Sequence, residues 1–161
     1  MRTSTLPAPT EPAVWRALLR AQAIIARRLQ ADLLAAHDLA LGSYDVLLHL
    51  SEAPGGRLRM NDLADRVLLS RSGLTRLIDR LQAAGLVARQ SCDSDARGLY
   101  AVLTPAGRAR LAEATPTYRR AVRRYMLDRL DPQELRTLEE ILTRLTGEED
   151  RAVPLQTPRE T

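Results

Sequence analysis

The chain has no phenylalanine, no lysine and a single cysteine, and aromatic residues make up only 3% of its 161 positions. With one tryptophan and four tyrosines, a core has to come from the leucine, alanine, valine and isoleucine that dominate the hydrophobic 45%. That composition suits helix packed on helix. One cysteine excludes an internal disulfide framework. The only histidines, His37 and His49, share no metal-ligand spacing with each other or with Cys92. No nucleophile lies near either histidine in sequence, and no glycine-rich loop could cradle a phosphate. These absences speak against an enzyme, a resident metal or a cofactor. No run approaches the roughly 18 apolar residues of a membrane span, and the N-terminus lacks the charged-then-apolar pattern of a signal peptide. No membrane partner and a cytoplasmic location are therefore expected.

What is present is arginine. All 24 basic side chains are arginine, and the formal net charge is +4 with a pI of about 10.0. Between Arg57 and Arg97 eight arginines face five aspartates, a net of +3. Most of the excess thus sits in one stretch, where a polyanionic partner would be met.

That stretch, 60–104, organises the chain. Asn61 to Val67 reads as a short helix with acids in its first turn, where the helix dipole favours them. Leu68-Leu69-Ser70 is a short turn. Ser70 is a good N-cap for a second helix, and Gly85 stands where a left-handed stop is wanted. Between them Leu74, Leu77, Ile78 and Leu81 fall at i, i+3, i+4 and i+7, one apolar stripe on one face. The opposite face carries Ser72, Arg76, Asp79 and Ala83, flanked by Arg71, Thr75 and Arg80. Arginine can bond guanine edges bidentately, and serine or threonine can reach bases or phosphates. Read alone, such a helix is as often an amphipathic helix with a solvated polar face. The residues after Gly85 tip the balance. Leu86 to Arg89 reads as a strand, Cys92 to Ala96 as a polar loop tip, and Leu99 to Leu103 as a returning strand, together a hairpin wing. Leu58 is expected to add a one- or two-residue strand beside it.

These motifs together resemble the MarR family of bacterial transcriptional regulators. The resemblance rests on Leu63-Ala64-Asp65-Arg66, the run from Leu69 to Leu81, Ala84-Gly85-Leu86-Val87, Asp95-Ala96-Arg97 and Leu103-Thr104-Pro105-Ala106-Gly107, in that order, and extends from about Trp15 to about Leu145. It implies a mainly α fold with a small β-wing, a winged helix-turn-helix with a helical dimerisation region. It also implies a homodimer binding pseudo-palindromic double-stranded DNA, most often as a repressor. Ser70, Arg71, Ser72, Thr75, Arg76 and Arg80 become candidate DNA-binding residues. On the wing, Asp95 and Arg97 match the family's acid-x-arginine signature, with the acid holding the arginine that enters the minor groove. Family effectors are often small phenolic or aromatic anions held between the dimer helices and the reading module. Trp15, Tyr44 and Leu48 are candidate lining residues, with core packing the competing role for each. The rival reading is a winged-helix protein-interaction module without sequence-specific DNA binding.

The rest of the chain fits around this module. Residues 1–11 are expected to be disordered. A long helix opened by Thr10 and Pro12 runs to about His37, with Trp15, Leu18, Leu19, Gln22, Ile25, Leu29 and Leu33 as its stripe. A second helix covers about Ser43 to Glu52, its start poorly capped at Ala40. After the wing Thr104 and Pro105 open a helix to about Arg129, bent near Pro116. Asp131-Pro132-Gln133-Glu134 then forms a strong start for a last helix with Leu135, Leu138, Ile141, Leu142 and Leu145 as its stripe. Segments 12–38 and 105–147 are assigned to dimerisation, 39–104 to the DNA-binding domain and 148–161 to a flexible tail. Arg119, Arg120, Arg123 and Arg124 read as a solvated face paired with nearby acids. Cys92 stands beside Asp93 and near Asp95, acids that disfavour its thiolate, so redox sensing is not expected.

Overall fold

A computed structural model describes residues 10–92 and 95–147. Of the N-terminal segment expected to be disordered, Thr10 and Glu11 are ordered instead as the cap and first residue of a helix; the rest of it and the C-terminal tail lie outside the described residues. The chain divides into two compact units, one ending at Val122 and the other beginning at Arg123.

In the first unit α1 (Glu11–His37) and α2 (Leu41–Glu52) precede the short strand β1 (Arg57–Arg59). The helix-turn-helix comes next as α3 (Met60–Arg66) and α4 (Arg71–Ala83), then the wing as β2 (Val87–Cys92) and β3 (Asp95–Leu103). Helix α5 (Pro105–Tyr125) closes the unit and runs into the next. The sheet has the order β1-β3-β2, antiparallel throughout, with Leu58 opposite Ala101 and Val87 opposite Leu103. Leu58 thus pairs with the wing as its position suggested. The wing strands are longer than expected: Cys92 pairs with Asp95, so residues assigned to a loop tip belong to the ladder. The register breaks between Ser91 and Cys92 because β3 carries extra residues there, and such a bulge lets a longer strand pair with a shorter one.

Every element of the reading module gives side chains to one core. Leu33 of α1, Val46, Leu47 and Leu50 of α2, Leu63 of α3 and Ile78 of α4 are fully shielded from solvent. On α2 burial extends well beyond the expected line of Tyr44, Leu47, Leu48 and Ser51, because helices and sheet enclose it on several sides. Helix α2 also starts earlier than its pattern predicted, at Leu41. Ala40 offers no side-chain cap, and the Leu41 N–H instead donates to Oε1 of Gln30 on α1 at 2.7 Å. A borrowed acceptor thus satisfies one of the donors that a helix start leaves open.

Thr10 is the N-cap residue of α1, but its side chain makes no capping bond. Pro12 sits in the first turn as expected. At the other end, Arg110 of α5 donates to the His37 carbonyl, and the His37 ring shares a hydrogen bond with Thr117 at 2.9 Å. Thr104 caps α5 by accepting from the Gly107 N–H at 3.0 Å while its hydroxyl donates to the Gly85 carbonyl at 2.7 Å. A Cβ on Gly107 would lie 2.0 Å from the Leu86 carbonyl oxygen, so only glycine lets α5 approach the wing this closely. Helix α5 ends at Tyr125, short of Arg129, and Leu127–Arg129 form a separate 3-10 turn.

In the second unit α6 (Pro132–Thr146) opens with a complete capping box. Asp131 accepts from the N–H groups of Gln133 and Glu134, and Glu134 accepts from the Asp131 N–H at 2.8 Å. No α6 residue is buried, and Leu145 is 67% exposed.

One charged group sits against the core. Asp45 is half-buried beside Tyr44, which stacks on Tyr118 with ring centroids 4.4 Å apart. Burial pushes the Asp45 carboxyl above its ordinary value, a shift that His49 partly offsets. The folded state therefore holds this proton where the unfolded chain has lost it, so stability falls as pH rises through that window. The window opens near 3.8, the ordinary value, and closes at the raised one. Asp45→Asn should remove this contribution. The variant is expected to melt at or above the wild type at pH 7, with the difference shrinking toward pH 4. Calorimetry across that pH range checks it, and a variant less stable at pH 7 than at pH 4 relative to wild type would reverse the sign.

Candidate nucleic-acid interface

Helix α4 is built to turn one face outward. Ser70 Oγ accepts from the Gly73 N–H at 3.1 Å, and a Cβ on Gly73 would stand only 3.0 Å from that oxygen. The small residue at this position thus belongs to the cap. At the far end Gly85 takes φ +72°, and the Leu86 N–H reaches back to the Leu81 carbonyl at 2.9 Å, the left-handed stop expected there. Leu74, Leu77, Ile78 and Leu81 are all buried. Arg71, Ser72, Thr75, Arg76 and Arg80 are all exposed.

Local bonds limit what these groups offer. The Thr75 hydroxyl donates to the Arg71 carbonyl at 2.9 Å, so it faces outward chiefly as an acceptor. The Ser70 and Ser72 hydroxyls lie 3.3 Å apart. Either hydroxyl of this pair can donate to the other, and the one that does not keeps its O–H to give to an outside acceptor such as a phosphate oxygen.

A residue that the sequence pattern did not single out holds this face in place. Arg89 of β2 pairs with Asp79 at 2.6 Å, donates to Gln82 Oε1 at 2.8 Å and reaches the Thr75 carbonyl at 3.4 Å. Its side chain retains 24% exposure. Strand alternation contained the signal: Val87 points into the core, and Arg89, two residues on, shares its face. The pair also neutralises Asp79, the carboxylate on the outward half of α4. On the sheet's other face Arg57 and Arg59 lie over the Tyr100 ring at 5.0 and 5.8 Å.

Between α4 and the wing runs a groove of about 410 Å³, bordered by Thr75, Arg59, Asn61, Arg89 and Leu99. Asp95 and Arg97 lie on β3 by their backbone. Their side chains, and that of Cys92, lie outside the described residues.

A second cleft, of about 400 Å³, opens between Arg27 and Gln30 of α1, Leu41 and Asp45 of α2, and Val67 and Leu69 beside the α3–α4 turn. None of Trp15, Tyr44 and Leu48 borders it. Tyr44 is buried, its hydroxyl 3.3 Å from Thr115, Leu48 packs against the core, and Trp15 is 61% exposed. Among the four arginines of the basic cluster, Arg123 pairs with Asp128 at 3.1 Å, Arg120 donates to Thr117 and Arg124 lies over Tyr125. Arg119 is exposed.

Comparison with known proteins places this geometry. A family model described as MarR family matches residues 37–98. The crystal structure of AbsC, a MarR family transcriptional regulator from Streptomyces coelicolor, is 34% identical, with a TM-score of 0.80 over 89% of this chain and 97% of AbsC. Sco3205 from the same organism, a MarR family transcriptional regulator solved in complex with DNA, is 31% identical, with a TM-score of 0.81 over 93% of this chain and 95% of that one. The transcriptional repressor YetL of Bacillus subtilis is 33% identical over 82 residues, 51% of this chain. The chain spans about half the length of the curated relatives it matches, 49% for YetL and 40% for a second regulator, TtmR of Methylorubrum extorquens.

Removing Arg89 should leave Asp79 an unpaired negative charge on the outward face of α4. Arg89→Ala is expected to fold, since a partly exposed ion pair contributes only about 0–1 kcal/mol, but to bind every DNA sequence more weakly. Adding Asp79→Asn should restore part of that loss. Titration of both variants by fluorescence anisotropy checks it, and a double variant no better than Arg89→Ala would contradict the electrostatic reading.

Proposed function

The chain belongs to the MarR family of transcriptional regulators, and on that premise we propose that it is a sequence-specific repressor. It binds a pseudo-palindromic operator as a homodimer and is released by a small-molecule effector. The observation that carries the DNA-binding part is α4: its apolar stripe is buried, its serine cap is made, and its arginine face is open to solvent. In this reading Arg76 enters the major groove, with Arg71, Ser72, Thr75 and Arg80 around it and Ser70 on a phosphate. Asp95 and Arg97 on the wing meet the minor groove, where the base code is nearly degenerate.

Exposed apolar surface supports the dimer. Trp15, Leu18 and Leu19 are 61%, 40% and 48% exposed on α1, and Ile141 and Leu145 are 39% and 67% exposed on α6. A second copy covering 12–38 and 105–147 would bury these stripes and hold two recognition helices about 34 Å apart, one DNA turn.

Binding to the DNA flanking the protein's own gene, at stated salt and with competitor, should be saturable and competitor-resistant. Uniformly weak binding would favour an interaction module that does not read DNA sequence. Arg76→Ala should cost ~1–3 kcal/mol at one base position and relax preference there. Arg97→Ala should weaken all sites alike and lower the salt slope by ~1 per arginine, ~2 in a dimer. If the two patterns are exchanged in a salt series over single-base operator mutants, helix and wing have been assigned the wrong grooves.

The dimer has its own test. Leu19 is 48% exposed in the single chain, so Leu19→Glu should leave the fold intact while shifting sedimentation to the monomer and cutting operator affinity at least tenfold. An unchanged dimer would place the interface elsewhere.

A further inference from the structure

Asp45 lies half-buried on the wall of the cleft between α1, α2 and the α3–α4 turn. Among the described residues its carboxylate accepts no hydrogen bond, and its charged neighbour is His49, one turn on along α2. Burial already works against its charge. Arg27 borders the same cleft from α1 but is exposed and forms no ion pair with Asp45. The Gln30 carbonyl oxygen is engaged by the Leu41 N–H, which leaves its amide N–H₂ as the polar group it can offer. The remaining border is apolar or small: Ala26, Leu41, Gly42, Val67 and Leu69. At about 400 Å³ the space falls within the ~300–1,000 Å³ of small-molecule sites.

We propose that this cleft selects a small cationic amphiphile, an amine or other protonated N–H donor on an apolar body, seated with its cation on Asp45. The proposal deepens the effector half of the proposed function and rests on it. A half-buried carboxylate with no hydrogen-bond partner among the described residues is stabilised by a cation brought to it and repels an anion brought to the same place. A phenolic or aromatic anion, the class the family resemblance implies, is therefore the wrong charge for this wall. Arg27, exposed on the same border, favours a ligand that also carries a hydrogen-bond acceptor over a dication.

The cleft is also well placed to act on DNA reading. Val67 and Leu69 flank Leu68, which is 90% exposed with φ +53°. A bulky residue pays for that left-handed conformation, so the turn is held there by its surroundings. The next residue after Leu69 is Ser70, the cap of α4. An occupant pressing on Val67 and Leu69 thus acts on the segment that sets the start of the recognition helix.

The test uses the full chain and two matched pairs of probes: tyramine against 3-(4-hydroxyphenyl)propionate, and tryptamine against indole-3-propionate. Thermal shift reads binding directly, and anisotropy of an operator fragment reads release. The amines are expected to raise the melting temperature where the carboxylates do not. Asp45→Asn, which should itself melt no lower than wild type, is expected to weaken amine binding at least tenfold, and Asp45→Glu to retain part of it. Carboxylates binding as tightly as amines, no amine binding, or amine binding unchanged in Asp45→Asn would each overturn the proposal. Asp45-dependent amine binding that leaves operator affinity unmoved supports the assigned ligand class and overturns effector release. Release by carboxylates alone does the reverse.

Discussion

Leu74, Leu77, Ile78 and Leu81 leave water together, and because they recur at helical spacing their burial allows α4 only one rotation about its axis. Each such side chain contributes about 1.5–3 kcal/mol on burial. The polar face of α4 has no comparable hold on the rest of the molecule. Arg71, Ser72, Thr75, Arg76 and Arg80 point outward because the opposite side is committed, not because any of them is anchored. α2 and α3 form the other side of that commitment: Leu47, Leu50 and Leu63 meet the α4 stripe in the same core.

Weak polar contacts then set what strong apolar burial leaves free. The Arg89–Asp79 pair contributes little to stability, being partly exposed. Yet Arg89 reaches three points on α4, so it fixes how the wing meets the helix. Gln30 does similar work at the start of α2, and Thr104 ties the Gly85 turn to the start of α5. None of these bonds would hold a fold together. Each chooses one arrangement among those that the core would tolerate.

That division explains what could be read in advance. The α4 stripe, the Ser70 cap, the Gly85 stop, the Asp131 capping box and the Leu58 strand all depend on residues close in sequence, and all are present. The departures involve partners far apart. Helix α2 begins early because an acceptor arrives from α1, eleven positions back. The wing strands run longer because a bulge lets them pair through residues whose polarity reads as loop. Arg89 was legible only through strand alternation, which marks its side of the sheet without naming Asp79 or Gln82. The cleft has no sequence signature, since its walls come from α1, α2 and the α3–α4 turn. Residue type, which singles out Trp15, Tyr44 and Leu48, does not say which apolar groups border this cleft; none of the three does.

Helix α1 shows how one element can belong to two structures. From Glu11 to Ala23 every residue is exposed, roughly 20 Å of helix, while Leu29 is buried and Leu33 sits in the core of the reading module. The cleft lies where exposure gives way to burial, at Ala26, Arg27 and Gln30. A helix anchored at one end and free at the other transmits a rotation imposed on its free end to whatever packs around its anchored end. Gln30 and Leu41 make that transfer direct, because the bond between them joins α1 to the first residue of α2. A ligand between these helices and the α3–α4 turn would therefore sit where the two motions meet: the pose of α1, which a second copy would set, and the start of α4, which DNA would read.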